Sequence, residues 1–535
     1  MAQKKPKVQK EIPLETILWN CRVALRGTIG GNEKNRDAVL SLVFLKFVGD
    51  KFEKQRAKLL AQYGDVPAFL EKVSFYRSDN VFYIPETARW NYIVNKASQN
   101  DIAVILDTAL KDIQEKNIDL IGALPTNFYV SNLSGKQKEI KALIDEVNKI
   151  DEVKFQEKDL IGRVYEYFLQ AFSIDSTGQE NGEFYTPASI VELIAELIEP
   201  YDGVVYDPCC GSGGMFVQSI KFVERHNGNR TRISVRGQES NPDTWRLAKL
   251  NLAIRGISHD LGKEAVSAFS SDQHTADKHL DHPMVDYIMA NPPFNLKNWR
   301  GKDELTTDTR WNGYTVPPVS NANYAWILHM LSKLDVTNGI AGFLLANGAL
   351  NADGIEKEIS QKLVENDKIE AIIVLPREMF YSTDISVTLW IMNNNKKARL
   401  LNGRQLRDRQ KETLFMDLRR WNENIYEKKF VMFADEQIAK VKAIYNSWQT
   451  GDGYEDIPEL CKSSTLADIE KQKFSLAPSK YIEFIDHDLK IDYNKEMQRI
   501  QVEMKSLLAE EKQSQTMLEN AFAGIGFNIG GGLNG

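Results

Sequence analysis

The chain has 535 residues, of which 42% are hydrophobic and 26% are charged, and its formal net charge is -7. This composition is that of a globular protein with roughly two to four domains. It includes no run of about 18 apolar residues, so no membrane span is expected. The acidic balance weighs mildly against a chain that holds DNA by itself, because affinity for DNA comes largely from neutralised phosphates.

The cysteines predict a reducing compartment. Cys209 and Cys210 are adjacent in a glycine-rich stretch, and the chain contains no CxxC pair. A disulfide framework is therefore not expected, and we expect a cytoplasmic protein. The N-terminal lysines are followed by no apolar segment, so no secretory signal is expected either.

The first part of the chain has a helical pattern. Apolar residues of the segment 14–62 recur at helical spacing, without the alternation of a strand. The glycine-rich stretch 26–31 divides this segment into two helices, and the segments 101–114 and 136–150 are amphipathic. We therefore expect an all-α N-terminal domain over residues 1–155.

Residues 156–475 alternate short apolar runs with helical segments, which is the pattern of a mainly parallel, doubly wound α/β sheet. We expect a Rossmann-like domain over this range. Its last two apolar runs have the spacing of a β hairpin pair added late to the sheet. The predicted strands lie at 204–206, 233–238, 265–269, 285–290, 340–345, 369–375 and 387–392.

The end of the chain is again helical in pattern. Residues 476–523 carry apolar side chains at heptad-like positions and are expected to form a C-terminal helical region, and the glycine-rich tail 524–535 is predicted to be disordered. The helix is either a partner-binding element or one that packs on its own domain. The apolar positions are Met497, Ile500, Met504, Leu507, Leu518 and Ala521.

The most informative motif lies where the predicted fourth strand ends. Asn291 is followed by Pro292, Pro293 and Phe294, and two prolines cannot continue a parallel strand because they lack the N–H donor. Open α/β sheets bind ligands at this edge. The motif is either a plain proline-rich turn or a site for a planar exocyclic amine. In the second case, the oxygens of Asn291 and Pro292 would accept the amine hydrogens, and Phe294 would stack on the ring.

A second motif, DPCCGSGG at 207–214, follows the first predicted strand. Its glycines let the backbone approach a ligand closely, but it lacks the Lys-Ser/Thr of a phosphate-binding loop, and its leading acid would repel a pyrophosphate. Glu239 closes the second predicted strand and Asp272 the third. Each acid alone could be a cap or turn residue, but three carboxylates at one edge favour S-adenosylmethionine over NAD. The predicted cofactor residues are Asp207, Gly211, Ser212 and Gly213, with Glu239 for the ribose and Asp272 for the adenine amine.

The stretch Phe184-Tyr185-Thr186-Pro187 precedes a helix with an apolar stripe. Thr186 is a good N-cap, and Pro187 fits the first helical position. The stretch is therefore either a plain helix start or a loop that folds over a cofactor. In the second case, Phe184, Tyr185 and Thr186 would contact the cofactor.

These motifs occur in the order found in a known family. The stretch 184–187, the DPCCGSG turn, the sequence GQESN at 237–241 and NPPF at 291–294 resemble the amino-methylating DNA methyltransferases. They are most similar to the modification subunit of type I restriction–modification systems, which the segment LVFLKF at 42–47 resembles as well. The two cysteines of the turn stand where small residues such as Ala are usual in that family, and a buried Cys packs as a small apolar residue.

The resemblance implies a site-specific adenine N6-methyltransferase that acts on double-stranded DNA with S-adenosylmethionine. The adenine would be flipped out of the duplex, because its N6 amine is inaccessible inside it. Asn291 and Pro292 would then accept the two N6 hydrogens, and Phe294 would stack on the base. The resemblance also implies a separate specificity subunit that reads the DNA and is joined by two modification subunits, with a restriction subunit as a further candidate partner. We expect residues 495–522 to contact the specificity subunit.

Three other functions fit the same residues. The sequence Asn-Pro-Pro-aromatic also occurs in protein-glutamine methyltransferases, which resemble a single smaller domain with Tyr after the prolines. A DNA methyltransferase that needs no partner is the second alternative. A non-catalytic scaffold with a relic cofactor fold is the third, and the intact acids and Asn291 argue against it.

Two further segments have roles that the sequence leaves open. The aromatic and polar loop 299–320 either lies against DNA and orders on binding or is a static surface loop. The basic segment 394–411 is either a solvated loop or a nucleic-acid contact. His274, His279 and His282 lack the spacing and the cysteines of a zinc site, and no metal is expected.

Overall fold

The structure, a computed structural model, describes residues 13–79, 81–150, 163–165, 167–168, 171, 186–274, 284–380, 386–426, 430–485 and 493–524. These residues form two compact units, which divide after Ile482. Phe184, Tyr185, His279, His282 and the tail from residue 525 lie outside the described residues. The predictions on them, like the domain limits at 155, 475 and 523, stay predictions. None of the described helices is both long and apolar enough to cross a membrane.

The N-terminal part is helical, as the sequence predicts. Its described helices are α1 (Leu14–Val23), α2 (Asn32–Tyr63), α3 (Pro67–Leu70), α4 (Val73–Arg77), α5 (Trp90–Lys96), α6 (Ile102–Lys116), α7 (Phe128–Leu133) and α8 (Gln137–Val147). Gly27 and Gly31, with φ of 78° and 88°, form the predicted break between α1 and α2, since glycine adopts positive φ readily. The apolar faces of the helices share one core, in which Leu42, Phe44 and Phe47 are buried.

A mixed sheet follows. The strands in the described residues are β1 (Gly203–Asp207), β2 (Ile233–Gly237), β3 (His259–Asp260), β4 (Tyr287–Ala290), β5 (Ile340–Ala346), β6 (Ile369–Val374), β7 (Val387–Asn393), β8 (Arg399–Leu401), β9 (Arg404–Leu406), β10 (Glu412–Asp417), β11 (Ile425–Tyr426), β12 (Phe430–Val431) and β13 (Cys461–Thr465). Nine of them form one sheet in the order β13-β10-β6-β7-β5-β4-β1-β2-β3. From β3 to β5 the neighbours are parallel, whereas β7 is antiparallel to β5 and β6. This confirms the predicted doubly wound sheet with a late β pair and adds β10 and β13 at the far edge.

Helices cover both faces of the sheet. They are α9 (Ala188–Ile198), α10 (Gly214–Arg225), α11 (Pro242–Ile254), α12 (Asn323–Lys333), α13 (Gly354–Glu365), α14 (Asp435–Thr450) and α15 (Leu466–Lys471). Because successive strand residues point to opposite faces, Leu344 and Ile391 pack in one core with α9, α10 and α14. Phe343 and Trp390 pack in the other core with α12 and α13. The central strands are therefore buried on both sides, as is usual for parallel strands.

One predicted strand is wrong. The third strand is His259–Asp260, which pairs in parallel with β2, and the segment 265–269 is not a strand. Of its apolar residues, Ala268 and Phe269 are buried, and the ring of Phe269 lies 4.6 Å from that of Trp299 in the loop 299–320 and 4.1 Å from that of Trp326 in α12. Burial under a loop produces the same apolar run as burial in a sheet, whereas a two-residue polar edge strand gives no such signal.

The C-terminal helical region is formed chiefly by one long helix. Residues 476–482 belong to the first compact unit, where Leu476 and Ile482 are buried, and their helical structure is limited to a short turn at Pro478–Lys480. The second unit contains the long helix α16 (Tyr493–Gly524). Its predicted heptad-like residues are largely exposed, Leu507 by 59%, and a row of apolar side chains on one helix marks a candidate interaction surface.

Candidate active site

The turn after β4 is held by the first residue of α12. The backbone turns at Asn295, which has a φ of 55°. Asn295 N donates to Asn323 Oδ1 at 2.9 Å, and Asn323 Nδ2 donates to Asn295 Oδ1 at 2.9 Å. The ring of Phe294 is buried and lies edge-on to that of Phe380, with centroids 6.2 Å apart. The backbone of the predicted catalytic motif 291–294 is thus fixed from both ends, by β4 and by α12.

The side chain of Asn291 is bonded to the stretch that precedes α9. Its Nδ2 donates to Thr186 Oγ1 at 2.9 Å. Thr186 is therefore not the N-cap that its sequence position predicts: α9 begins at Ala188, and Pro187 is the cap residue, with no side-chain cap bond. Because the nitrogen end of the Asn291 amide is held by Thr186, the oxygen end is the one oriented to accept hydrogens from a substrate.

The glycine-rich turn after β1 presents bare backbone. Gly211 and Gly213 have φ of 53° and 82°, a region that favours glycine. A Cβ placed on Gly211 would meet no atom within 4 Å, so a ligand can approach the backbone there. Asn251 Nδ2 donates to Ser212 O at 2.8 Å and fastens the turn to α11. The predicted cofactor residues of this turn therefore lie together at the carboxyl end of the sheet.

Glu239 links this turn to the end of β2. Its carboxylate accepts from Gly211 N at 3.0 Å and from Asn241 N at 2.8 Å. A backbone bond from Cys210 N to Gln238 O, at 2.8 Å, joins the same two strand ends. These bonds fix the Glu239 carboxylate beside the open backbone of Gly211, where the ribose of a nucleoside cofactor is expected.

Asp207 and Glu239 are buried acids on adjacent strands. Burial, opposed by hydrogen bonds from Cys209 and reinforced by the charge of Glu239, raises the pKa of Asp207 to about 7. Burial also raises the pKa of Glu239, against hydrogen bonds from Asn241 and Gly211. Acids that resist ionisation together suit a ligand that brings a positive charge or hydroxyl donors. The residues present thus fit S-adenosylmethionine, which offers both.

The sequence predicts Asp272 at the end of a third strand, but it lies in a segment that is not a strand. The side chain of Gln238 donates to Ser271 O at 2.9 Å and accepts from Gln273 N at 3.0 Å, which ties this segment to β2. Asp272 forms an ion pair with Lys333 of α12. Although burial raises the pKa of Asp272, the charge and hydrogen bond of Lys333 bring the pKa below its ordinary value. Asp272 is therefore an ionised acceptor in a segment bonded to Gln238, but it is already paired with Lys333.

Helix α12 joins these parts of the site, and the sequence pattern does not reveal this role. Helix α12 contacts the turn after β4 through Asn323, Asp272 through Lys333 and the loop 299–320 through His329. All three side chains are buried in an otherwise apolar helix. Polar residues at positions of an apolar helix that are expected to be buried are a signal by which these three could have been identified, because burying such a group requires a specific partner.

Of the three histidines considered as zinc ligands, the structure describes His274. His274 lies with Nε2 2.8 Å from Gly237 O, at the end of β2. Within the described residues, no group of three or more His, Cys, Asp or Glu side chains is placed to hold a metal ion.

The loop 299–320 is folded by its own hydrogen bonds. Trp299 Nε1 donates to Pro318 O at 2.9 Å. The guanidinium of Arg300 donates to Gly301 O, Lys302 O, Glu304 O and Pro317 O, all at 2.9–3.0 Å. Bonds among its own residues thus hold the loop in one conformation.

The basic segment 394–411 is paired within the protein. Its ion pairs are Lys396 with Asp367, Arg404 with Glu199, Arg407 with Glu412 and Arg409 with Glu370. Arg409 and Glu370 are both fully buried. These four basic side chains therefore have acidic partners within the protein.

Comparison with known families matches both parts of the chain. The family model for N-6 DNA methylases matches residues 156–488, and the model for the HsdM N-terminal domain matches residues 14–150. The HindI methylase subunit of a type I restriction enzyme from Haemophilus influenzae is 35% identical over 469 residues, which are 83% of this chain and 100% of that protein. The MjaIX methylase subunit from Methanocaldococcus jannaschii is 31% identical over 536 residues, which are 96% of this chain and 91% of that protein.

Solved structures share the fold. The methyltransferase subunit of a type I restriction-modification system from Streptococcus thermophilus gives a TM-score of 0.72 at 21% identity, over 88% of this chain and 99% of its own. A chain from a structure of complex assembly in the type I R-M system gives a TM-score of 0.59 at 18% identity, over 96% of this chain and 99% of its own. The similarity therefore includes the N-terminal helices as well as the sheet.

Proposed function

The chain belongs to the family of type I restriction enzyme methylase subunits, and we propose that it methylates the N6 amine of adenine in double-stranded DNA. One observation carries the proposal. The adjacent parallel strands β4, β1 and β2 lead at one sheet edge to Asn291, Asp207 and Glu239. An amine bound at Asn291 and a cofactor bound by the two acids would be neighbours, as direct group transfer requires.

S-adenosylmethionine, when bound, would supply the methyl group. Asp207 suits its cationic or hydroxyl groups, Glu239 its ribose hydroxyls and Asp272 its adenine amine. The open backbone at Gly211 supports this assignment, because a larger residue would occupy the space in front of the turn. The other residues that we propose to contact the cofactor are Ser212, Gly213, Phe184, Tyr185 and Thr186.

At the target, the chain's own groups would orient the amine. Asn291 Oδ1 and the carbonyl of Pro292 would accept the two N6 hydrogens, which favours lone-pair character on the nitrogen and directs it toward the methyl donor. Phe294 would stack on the base after the base has left the duplex. No covalent intermediate with the protein is required, so the rate enhancement would come from position and electrostatics.

We propose that the chain depends on a partner to read DNA. Its net charge of -7 gives little general affinity for phosphates, and α16 presents exposed apolar side chains that a specificity subunit would cover. Two copies of this chain would join one specificity subunit, and a restriction subunit is a further candidate. A protein with this activity works beside chromosomal DNA, and we propose that it is cytoplasmic.

The test is methyl transfer from labelled S-adenosylmethionine to DNA by the full chain together with its specificity subunit. The wild type is expected to label adenine N6. Asn291→Ala is expected to lose transfer while calorimetry still shows cofactor binding, because Asn291 contacts the target rather than the cofactor. Equal loss of transfer and cofactor binding would contradict the role given to Asn291.

The same assay separates the alternatives. Full transfer to DNA by the chain alone would show an enzyme that needs no partner. Transfer to a glutamine-containing protein but not to DNA would show a protein methyltransferase, whose target amide presents a similar planar nitrogen. A truncation that ends near residue 494 and still assembles with the specificity subunit would contradict the role of α16.

A further inference from the structure

We propose that Arg310 is a positioning residue that locks the loop 299–320 to the segment carrying Asp272, so that the target side and the cofactor side of the site keep one geometry. The inference rests on the proposed function for the identity of the two sides. The lock itself rests on the hydrogen bonds and packing of Arg310, which no part of the proposed chemistry uses.

The guanidinium of Arg310 has an acceptor for each of its N–H donors. Within its own loop, Nε donates to Asp308 Oδ1 at 2.9 Å and Nη2 to Asp308 Oδ2 at 2.7 Å. Across to the other segment, Nη1 donates to Ala268 O at 2.8 Å and Nη2 to Phe269 O at 3.2 Å. Nη1 also donates to His329 Nδ1 at 3.1 Å. One buried side chain therefore bonds to the loop, to the segment before Asp272 and to helix α12.

His329 extends this contact to β1. It is fully buried, and burial lowers its pKa to about 3, so the ring is neutral. Because Arg310 can only donate, Nδ1 is the acceptor and Nε2 carries the proton. His329 Nε2 then donates to Tyr206 Oη at 3.0 Å. The chain of bonds from Arg310 thus ends one residue before Asp207.

Aromatic packing joins the same two segments. The ring of Phe269 lies 4.6 Å from that of Trp299, at the start of the loop, and 4.1 Å from that of Trp326 in α12. The guanidinium carbon of Arg310 lies 5.9 Å from the Phe269 ring. Since Phe269 precedes Asp272 by only a short stretch of backbone, a displacement of Phe269 would displace the Asp272 carboxylate.

A lysine at this position would keep the charge but lose the lock. An ammonium group is compact and cannot reach carbonyl, carboxylate and imidazole acceptors on three segments at once. We therefore expect Arg310→Lys to release the segment 268–272 and to weaken the binding of S-adenosylmethionine by about tenfold. The cofactor is the informative probe because Arg310 lies in the loop and is not one of its proposed contacts.

Arg300 offers a matched control in the same loop. Its guanidinium also makes several bonds to backbone carbonyls, but all of those acceptors belong to residues 301–317. Arg300→Lys should loosen the loop without releasing the segment that carries Asp272. We expect its affinity for S-adenosylmethionine to stay within about twofold of the wild type, because Arg300 and Arg310 share no hydrogen-bond acceptor and lysine can keep the cation contact of Arg300 with the Trp299 ring.

The experiment titrates S-adenosylmethionine into the full chain by calorimetry, with the melting temperature of each variant measured alongside. Selective loss of affinity in Arg310→Lys supports the lock. Wild-type affinity in Arg310→Lys, or an equal loss in both variants, overturns it. A wild-type chain that binds no S-adenosylmethionine overturns the proposed function instead, which is a distinct result.

A milder variant keeps the test decisive if Arg310→Lys does not fold. Asp308→Asn leaves Arg310 in place but removes the carboxylate that holds Nε and Nη2. We expect it to weaken S-adenosylmethionine binding by about threefold, through one weakened charge-assisted contact. Unchanged affinity in a folded Asp308→Asn would overturn the lock.

Discussion

Asn291 Nδ2 donates to Thr186 Oγ1 at 2.9 Å, across 105 residues of sequence. The bond joins the turn after β4 to the stretch before α9, and it sets which end of the amide is held by the protein. A hydroxyl outside the Asn-Pro-Pro-Phe motif therefore holds the nitrogen end of the amide of that motif. This matters for the proposed chemistry, because only the oxygen end can accept hydrogens from an amine.

Removing the Thr186 hydroxyl should slow methyl transfer. Thr186→Val keeps the branched shape but cannot accept from Asn291, so the amide can rotate and present its NH2 group to the target amine. We expect kcat to fall by about tenfold, measured with labelled S-adenosylmethionine and DNA in the presence of the specificity subunit. Thr186→Ser retains the hydroxyl and should keep most of the activity. Equal activity in the valine and serine variants would contradict this role of the bond.

The raised pKa of Asp207 predicts that cofactor binding weakens in acid. Its pKa in the free protein is about 7, so at lower pH a cationic ligand must first displace a proton from the carboxyl group. Between about pH 7 and pH 6, the Kd of S-adenosylmethionine should rise by about fivefold. Calorimetric titrations in buffers of different ionisation enthalpy would show the proton release directly. A Kd that is constant from about pH 6 to pH 8 would contradict the contact.

The raised pKa of Asp207 also predicts how the free energy of unfolding varies with pH. An unfolded Asp titrates near about 3.9, whereas the pKa of folded Asp207 is about 7, so the folded chain binds the extra proton between these values. The contribution of Asp207 to stability is therefore fully present below the unfolded pKa and is lost as the pH rises through about 7.

Asp207→Asn should accordingly be more stable than the wild type in base. At about pH 8, the substitution removes a buried charge, and we expect a gain on the order of 2 kcal/mol in the free energy of unfolding. The gain should shrink as the pH falls toward about 5, where the wild-type carboxyl is protonated. Denaturant unfolding of both proteins at the two pH values checks this, and a difference that does not change with pH would contradict it.

Arg409 should matter for stability and not for DNA. Arg409→Met would leave the fully buried Glu370 carboxylate without its ion pair, and breaking a buried pair from one side costs about 3–5 kcal/mol. Thermal unfolding would show this loss. The salt dependence of DNA binding by the assembled complex should be unchanged, because Arg409 contacts no phosphate. A smaller slope against log salt would show that the basic segment does bind DNA.

The exposed apolar row of α16 should be needed for assembly. Leu507→Asp with Leu508→Asp places charges on side chains that are 59% and 53% exposed in the chain itself, so the fold should be retained while association with the specificity subunit is lost. Gln513→Asp, in the polar stretch of the same helix, is the control. Size-exclusion chromatography of the co-expressed subunits measures the result. Normal assembly of the double variant would exclude this surface as the interface.

The sequence identifies the parts of the site that depend on local geometry. Two prolines after Asn291 end a strand wherever they occur, and the glycines of the turn after β1 permit backbone that other residues rarely adopt. Strands β1, β2 and β4 to β7 could be predicted for a similar reason, since they are apolar runs of ordinary length. These features can be recognised without knowing which residues pack against them.

What the sequence does not identify depends on partners distant in the chain. In the sequence, the hydroxyl of Thr186 is an ordinary N-cap candidate. Its bond to Asn291 is apparent only in the folded chain. In the sequence, the arginines of 394–411 resemble a basic surface, because the acidic residues that pair with them belong to other elements of the fold. The run 265–269 resembles a strand although only Ala268 and Phe269 are buried, against the loop 299–320 and α12, and such tertiary contacts override local pattern.

The measurement that tests the central claim most directly is nucleoside mass spectrometry of genomic DNA. Cells would carry the chain with its native neighbouring genes, in wild-type form or with Asn291→Ala. The account predicts N6-methyladenine in the wild type and its loss in the variant, which would identify substrate, reaction and key residue together. Identical DNA methylation in both strains would contradict the account.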